Sequence, residues 1–164
     1  MVREILKLGD PRLYEISSEI GERDREHIRE WVADLHDTLM DYRKTYGAGR
    51  AVAAPQIGIR KRLLYMDTDR PYVFINPVMT FPDTEKYVLL DDCMSFPGLI
   101  VRVSRYKRAV IQFFDEDFQP QTMYLEGDIS ELLQHEYDHL NGILATMRAI
   151  DNKSFIMEQM KRDF

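Results

Sequence analysis

Apolar residues recur at three- and four-residue steps between positions 24 and 44, as Ile28, Trp31, Val32, Leu35, Leu39 and Tyr42, with charges in the gaps. That period matches one face of an α-helix and predicts an amphipathic helix over 24–44. The pattern then changes. Short runs rich in β-branched and aromatic residues at 62–67, 72–75, 87–90, 100–104, 108–115 and 121–126 predict strands. Asn76-Pro77 ends the second run, and a turn falls near Asp115-Glu116-Asp117. A helix begins near Asp128, with Leu132, Leu133 and Leu140 as its apolar face. Asp128 or Ser130 can cap its start, and Asn141-Gly142 is a stop signal. Residues 2–8 read as an extended arm broken at Gly9-Asp10-Pro11, Ile143-Leu144-Ala145 as a brief extended piece, and 152–162 as a short amphipathic helix. Strands dominate the middle and helices flank it, the pattern of an α+β domain.

Length and charge narrow the picture. A chain of 164 residues is expected to form one domain, 1–164, that buries about two thirds of its unfolded surface. A net charge of −6 argues against general binding of nucleic acid. The absence of an 18-residue apolar run and of a charged-then-apolar leader predicts no membrane segment and no secretory signal. Cys93 is the only cysteine, so no intramolecular disulfide forms, which fits a reducing cytoplasm. A sole cysteine is inert core, a nucleophile or a metal ligand.

The candidate chemistry lies in Gln134-His135-Glu136-Tyr137-Asp138-His139-Leu140-Asn141-Gly142, which contains H-E-x-x-H. Four residues turn a helix by about 400°, so His135 and His139 point the same way, about 6 Å apart along the axis. Two imidazoles so placed can share one metal ion. Glu136 lies about 100° round the helix, where its carboxylate can take a proton from water beside the ion. Histidines at this spacing also arise on ordinary amphipathic helices, and His27 and His36 are read as surface or rim residues without chemistry. Asp138 is read equally as a carboxylate orienting a metal histidine or as a structural group.

A catalytic metal site usually has three protein ligands and one open position. No histidine follows His139, and the only downstream glutamate is Glu158 in the terminal segment. Cys93, at the end of a predicted strand, is the better third ligand. Cys-His-His is softer than His-His-Glu and suits Fe²⁺ or Zn²⁺, with Ni²⁺ or Co²⁺ also accommodated. A second stretch, Gly47 to Gly58, is rich in Gly and Ala, with Pro55 blocking a helix and Gln56 as its only amide. Composition alone makes it a tight connection; small residues also permit a ligand to approach the backbone.

Three motifs in order resemble the peptide deformylase family. Gly49-Arg50-Ala51-Val52-Ala53-Ala54-Pro55-Gln56 looks like G-x-G-x-A-A-P-Q, Asp91-Asp92-Cys93-Met94-Ser95 resembles E-G-C-L-S, and Gln134 to Gly142 matches Q-H-E-x-D-H-L-x-G intact. Gly9-Asp10-Pro11-Arg12-Leu13 also looks like the family's opening segment. The resemblance implies a deformylase-like α+β fold, antiparallel sheets around a central metal-binding helix. It implies that Cys93, His135 and His139 hold one divalent ion, natively Fe²⁺, that Glu136 is general base and then general acid, and that Gln56 and the backbone N–H of Met94 stabilise the oxyanion. The reaction would release formate from N-formylmethionyl nascent peptides in N-terminal processing during protein biosynthesis, with a transient ribosome contact among the expected partners.

Departures from the motifs keep the substrate open. Ala51 replaces a glycine near the expected peptide path, Asp91 replaces glutamate and can pair with Arg105, and Asp92 replaces the glycine before Cys93. Glu131 lies one turn before His135, beside the expected pocket for the first side chain, with Leu89 and Leu132 as candidate apolar walls; Gly49 is the remaining candidate substrate contact. The alternatives are a related metal amidohydrolase with another N-acyl or amide substrate, a metal-binding protein without activity, and a zincin-type endopeptidase with a downstream third ligand.

Overall fold

A computed structural model describes residues 1–163. The predicted first helix divides into a 3-10 segment, Glu22–His27, and α1, Ile28–Tyr46. The described residues form eight strands, six at the predicted runs and two, β1 and β8, outside them: β1 Ala51–Ala53, β2 Leu63–Asp67, β3 Pro71–Thr80, β4 Lys86–Asp91, β5 Leu99–Tyr106, β6 Arg108–Phe114, β7 Pro120–Glu126 and, after the second helix, β8 Phe155–Met157. The second helix, α2, spans Asp128–Leu140. The strands form a five-stranded sheet in the order β1-β2-β3-β6-β7 and a three-stranded sheet in the order β4-β5-β8. Every pairing within these sheets is antiparallel.

Strand alternation decides which helix each sheet face receives. Leu64, Met66 and Phe74 join Leu132, Leu133 and Leu140 of α2 in one buried cluster. Their neighbours Leu63, Tyr65, Val73 and Ile75 turn to the opposite face and join Ile28, Leu35 and Leu39 of α1. The central strands are therefore apolar at consecutive positions, because a helix covers each face. The smaller sheet closes on the other side of α2, so the motif-bearing helix lies between the two sheets and most of its side chains are buried. The α+β architecture around a central helix agrees with expectation.

Four local expectations change. β3 continues through Asn76-Pro77 to Thr80, with a register shift between Ile75 and Val78. Asn76 takes a positive φ of 49°, and its side chain bonds both backbone groups of Ile20, which stabilises the bulge. Residues 155–157 form β8 rather than a helix, because the free edge of β5 offers backbone partners and Ile156 buries against it. A 3-10 segment, Glu158–Asp163, follows. Leu144 is extended as expected, but Ala145 opens a 3-10 turn. Neither Asp128 nor Ser130 caps α2: Gly127 occupies that position, and Ser130 Oγ donates instead to the Tyr106 carbonyl at 3.1 Å. At the other end Gly142 adopts φ 71°, and a Cβ there would collide with the Tyr14 carbonyl, so the stop signal is also a close crossing of two chain segments.

Candidate active site

Three chain segments meet at the middle of α2. The helix supplies His135 and His139, and the loop after β4 supplies Cys93, which is buried and unoxidised. His139 Nε2 lies 3.2 Å from His135 Nε2 and 3.4 Å from Cys93 Sγ. Among the described residues these three form a group able to hold a metal ion, with ligand atoms within 4.8 Å of one another. Tetrahedral bonds of ordinary metal–nitrogen and metal–sulfur length place neighbouring ligands about 3.3–3.8 Å apart, so the trio is close to coordinating geometry. The chemistry also fits, since one thiolate and two imidazoles suit a borderline-soft divalent cation. Glu158 is exposed and outside this group.

Asp91, the last residue of β4, fixes the first imidazole. Both its oxygens lie 3.0 Å from His135 Nδ1, leaving Nε2 to face the trio. Arg105 on β5 donates to the same carboxylate at 2.8 and 3.2 Å and reaches Asp138 at 3.1 Å. Burial alone would raise the Asp91 pKa, but His135 and Arg105 outweigh it and hold the carboxyl down at about 2. The expected Asp91–Arg105 pair therefore forms, and Asp91 also orients the histidine. Asp138 turns instead to Arg105 and Arg148, so its role is structural. Burial and the neighbouring His135 push the His139 pKa well below its usual value, and its Nε2 faces His135 and Cys93.

Glu136 is buried beside these ligands, and its Oε2 has no hydrogen-bond partner among the described residues. Burial raises its pKa to about 7, in the range where a carboxyl group both takes and gives a proton near neutrality. Gln56 sits in the 3-10 turn Ala54–Ile57 that follows β1. Its Oε1 accepts the Ala53 N–H at 2.9 Å, which turns the amide nitrogen toward Ser95 Oγ at 3.2 Å and Cys93 Sγ at 3.5 Å. Pro55 does not exclude helical structure here, because it stands in the first turn, where its missing N–H is not needed. The backbone N–H of Met94 donates to no protein group among the described residues, while its carbonyl accepts from Lys7 Nζ at 3.4 Å. The N-terminal arm braces this region: Leu6 N–H donates to the Gln56 carbonyl and Leu8 N–H to the Ser95 carbonyl, each at 2.8 Å.

The candidate substrate contacts separate. A groove of about 390 Å³ beside Cys93 is lined by exposed Asp92, by Ala48 just before Gly49, and by Tyr42 and Tyr46. Gly49 has φ 126° and its carbonyl accepts from Arg43, so its backbone has a structural reason to be glycine. The Ala51 methyl is absorbed in the core cluster with Leu132, and Leu132 itself is buried there. Leu89 is half-buried against the cluster containing Cys93. Glu131 is not free: its carboxylate accepts from Arg50 Nη2 at 2.9 Å. His27 is exposed; His36 bonds Tyr65 OH at 2.8 Å, away from the trio.

A family model described as polypeptide deformylase matches residues 2–155. The chain belongs to the polypeptide deformylase family. The chain is 35% identical to a peptide deformylase of Pseudothermotoga lettingae over 144 residues, 88% of this chain and 81% of that protein. It is 32% identical to the Brucella suis peptide deformylase over 149 residues, 87% of this chain and 82% of that protein. The crystal structure of the Thermotoga maritima peptide deformylase superposes with a TM-score of 0.84 at 31% identity, covering 92% of this chain and 99% of that one. As a peptide deformylase, the protein is a hydrolase that removes the N-formyl group from nascent peptides.

Sequence reasoning missed Ser95, which positions the Gln56 amide, the hold of Asp91 on His135, and the pairing of Arg50 with Glu131. Along β4, Asp91 falls at even steps from Tyr87 and Leu89 and so shares their face, but nothing in that alternation names His135 as its partner.

Proposed function

We propose that residues 1–164 act as one catalytic domain in which Cys93, His135 and His139 hold a single divalent ion, Fe²⁺ in the native protein, with Zn²⁺, Ni²⁺ or Co²⁺ able to substitute. Softness supports iron or zinc, since a thiolate and two imidazoles disfavour hard cations such as Mg²⁺. When bound, the ion supplies Lewis acidity toward water and the formyl oxygen. Glu136 Oε2 takes a proton from the attacking water and passes it to the departing amine nitrogen. The C–N bond of the formamide breaks, a C–O bond forms, and formate and a free amine leave. Gln56 Nε2–H and the Met94 backbone N–H donate to the formyl oxygen as its negative charge grows. Ala53 and Ser95 hold the Gln56 amide in that direction before substrate arrives. The observation that carries this reading is the buried, partnerless oxygen of Glu136 next to a thiolate–imidazole trio.

Among the described residues no helix is long and apolar enough to cross a membrane. With the substrate class, this supports work in the cytoplasm on N-formylated nascent chains near the ribosome, without direct binding of nucleic acid. The test is formate release from formyl-Met-Ala under anaerobic conditions by protein loaded in turn with Fe²⁺, Zn²⁺, Ni²⁺ and Co²⁺. Cys93→Ala is expected to lose both the ion and turnover. Full metal retention in that variant would overturn the ligand set.

A further inference from the structure

One charged pair beside the trio has no part in the chemistry above. Glu131 stands one helical turn before His135, and Arg50 lies just before β1 on the facing segment, with Nη2 2.9 Å from Glu131 Oε1. The Glu131 side chain is 12% exposed and that of Arg50 47%. Burial raises the Glu131 pKa, with Arg50 opposing it. β4 brackets the pair from the other side. Tyr87 OH donates to the Gly127 carbonyl at 3.0 Å, at the start of α2, and Asp91 meets His135 at 3.0 Å, at its middle. Leu89, on the same face of β4, therefore stands at the level of Glu131. Leu89 and the Arg50–Glu131 pair thus stand at one level of α2, one turn before His135.

That level lies about 6 Å along the helix from His135. The δ atom of the side chain on a formylated residue lies roughly as far from its formyl carbon, by standard bond lengths. A guanidinium has five N–H donors, and that of Arg50 engages only Glu131 among the described residues. A guanidinium held in place with donors to spare does not treat apolar and acceptor-bearing side chains alike.

On the deformylase reading, we propose that Arg50, steadied by Glu131, is a specificity-determining residue that admits formylated first residues carrying a hydrogen-bond acceptor at about methionine length. N-formylmethionine sulfoxide and N-formylglutamine are the chemical types it suits, alongside methionine itself. The sulfoxide oxygen accepts an N–H from Arg50 in place of water, so its desolvation is compensated.

The experiment compares kcat/KM for formyl-Met-Ala, formyl-methionine-sulfoxide-Ala and formyl-norleucine-Ala with metal-loaded protein. In Arg50→Met the sulfoxide-to-norleucine ratio falls about tenfold or more, through KM. Arg50→Lys, which keeps the charge without the fork, falls between. Because each ratio is taken on one preparation, a misfolded fraction cancels. If Arg50→Met turns over neither substrate, Glu131→Gln carries the same test by loosening the arginine, and the ratio falls in the same direction. A ratio within twofold of the unaltered protein overturns the role of Arg50. Failure of the unaltered protein to release formate from any of the three overturns instead the deformylase reading on which this inference rests.

Discussion

The two helices pack on opposite faces of one sheet, yet they bury different chemistry. α1 buries Ile28, Leu35 and Leu39, and its two buried polar side chains, Asp34 and Thr38, are both bonded by Arg3 of the N-terminal arm. α2 buries Gln134, His135, Glu136, Asp138 and His139 along with its leucines, and β4, β5, the loop after β4 and Arg148 supply partners to all of these but Glu136. A helix that only joins a core needs an apolar stripe. A helix that carries chemistry between two sheets brings polar groups into the core, where each needs a partner, and on α2 the buried side-chain atoms left without one among the described residues are Glu136 Oε2 and His139 Nδ1. On this contrast, changes in α2 alter rate and metal binding, and changes in α1 alter stability alone.

The largest expected effect is at the unpartnered group. Glu136→Gln keeps the size of the side chain and removes its ability to carry a proton, so kcat should fall by about 10²–10⁴ with the metal retained. Formate release and metal content measured on the same sample check this. Unchanged turnover would remove Glu136 from the mechanism and dissolve the contrast. Next comes Leu35→Ala on α1, fully buried against the other face of the sheet. Its expected cost is about 2–5 kcal/mol of stability, read from the urea midpoint. Metal affinity, measured where the variant is folded, should stay within about twofold. A larger shift would mean that α1 also sets the site's geometry.

A third variant tests the charged network of α2. Asp91→Asn keeps one acceptor for His135 but removes the carboxylate charge, and metal affinity should drop about 10–100-fold in competition with a chelator. Stability falls as well, because buried Arg105 is left with Asp138 alone.

These residues also show where sequence was informative. The His135–His139 pair was readable because both ligands lie within one helical turn, so spacing fixes geometry. The central strands were readable through composition, and their two buried faces explain why apolar residues run without gaps from Leu63 to Met66. β8 was not, since three residues carry no measurable period and their reason to be a strand lies more than fifty positions upstream in β5. The Arg50–Glu131 and Asp91–His135 pairs were hidden for the same reason. Each joins two separately legible motifs, and nothing in either states which partner in the other it will meet.

The smallest effect sets the scale for the rest. Asp24, in the 3-10 segment before α1, accepts from Lys61 Nζ at 2.8 Å and from the Gly21 N–H. It is an aspartate–cation pair like Asp91–Arg105, but it sits at the surface. Its pKa is lowered, first by Lys61 and then by the Gly21 N–H. A depressed folded-state pKa gives stability that is present above the unfolded value of about 3.9 and is lost as pH falls through the folded value. Asp24→Asn should therefore cost about 0.2–1 kcal/mol at pH 5–8, with the gap to the unaltered protein closing toward pH 3. Urea midpoints across that range give the curve. Salt should shrink this gap while leaving the Asp91→Asn effect on metal affinity in place, because only the surface pair lies within reach of mobile ions. An Asp24 gap that resisted salt would show that this pair is shielded from mobile ions as the Asp91 network is, and the contrast between the surface before α1 and the interior of α2 would have to be redrawn.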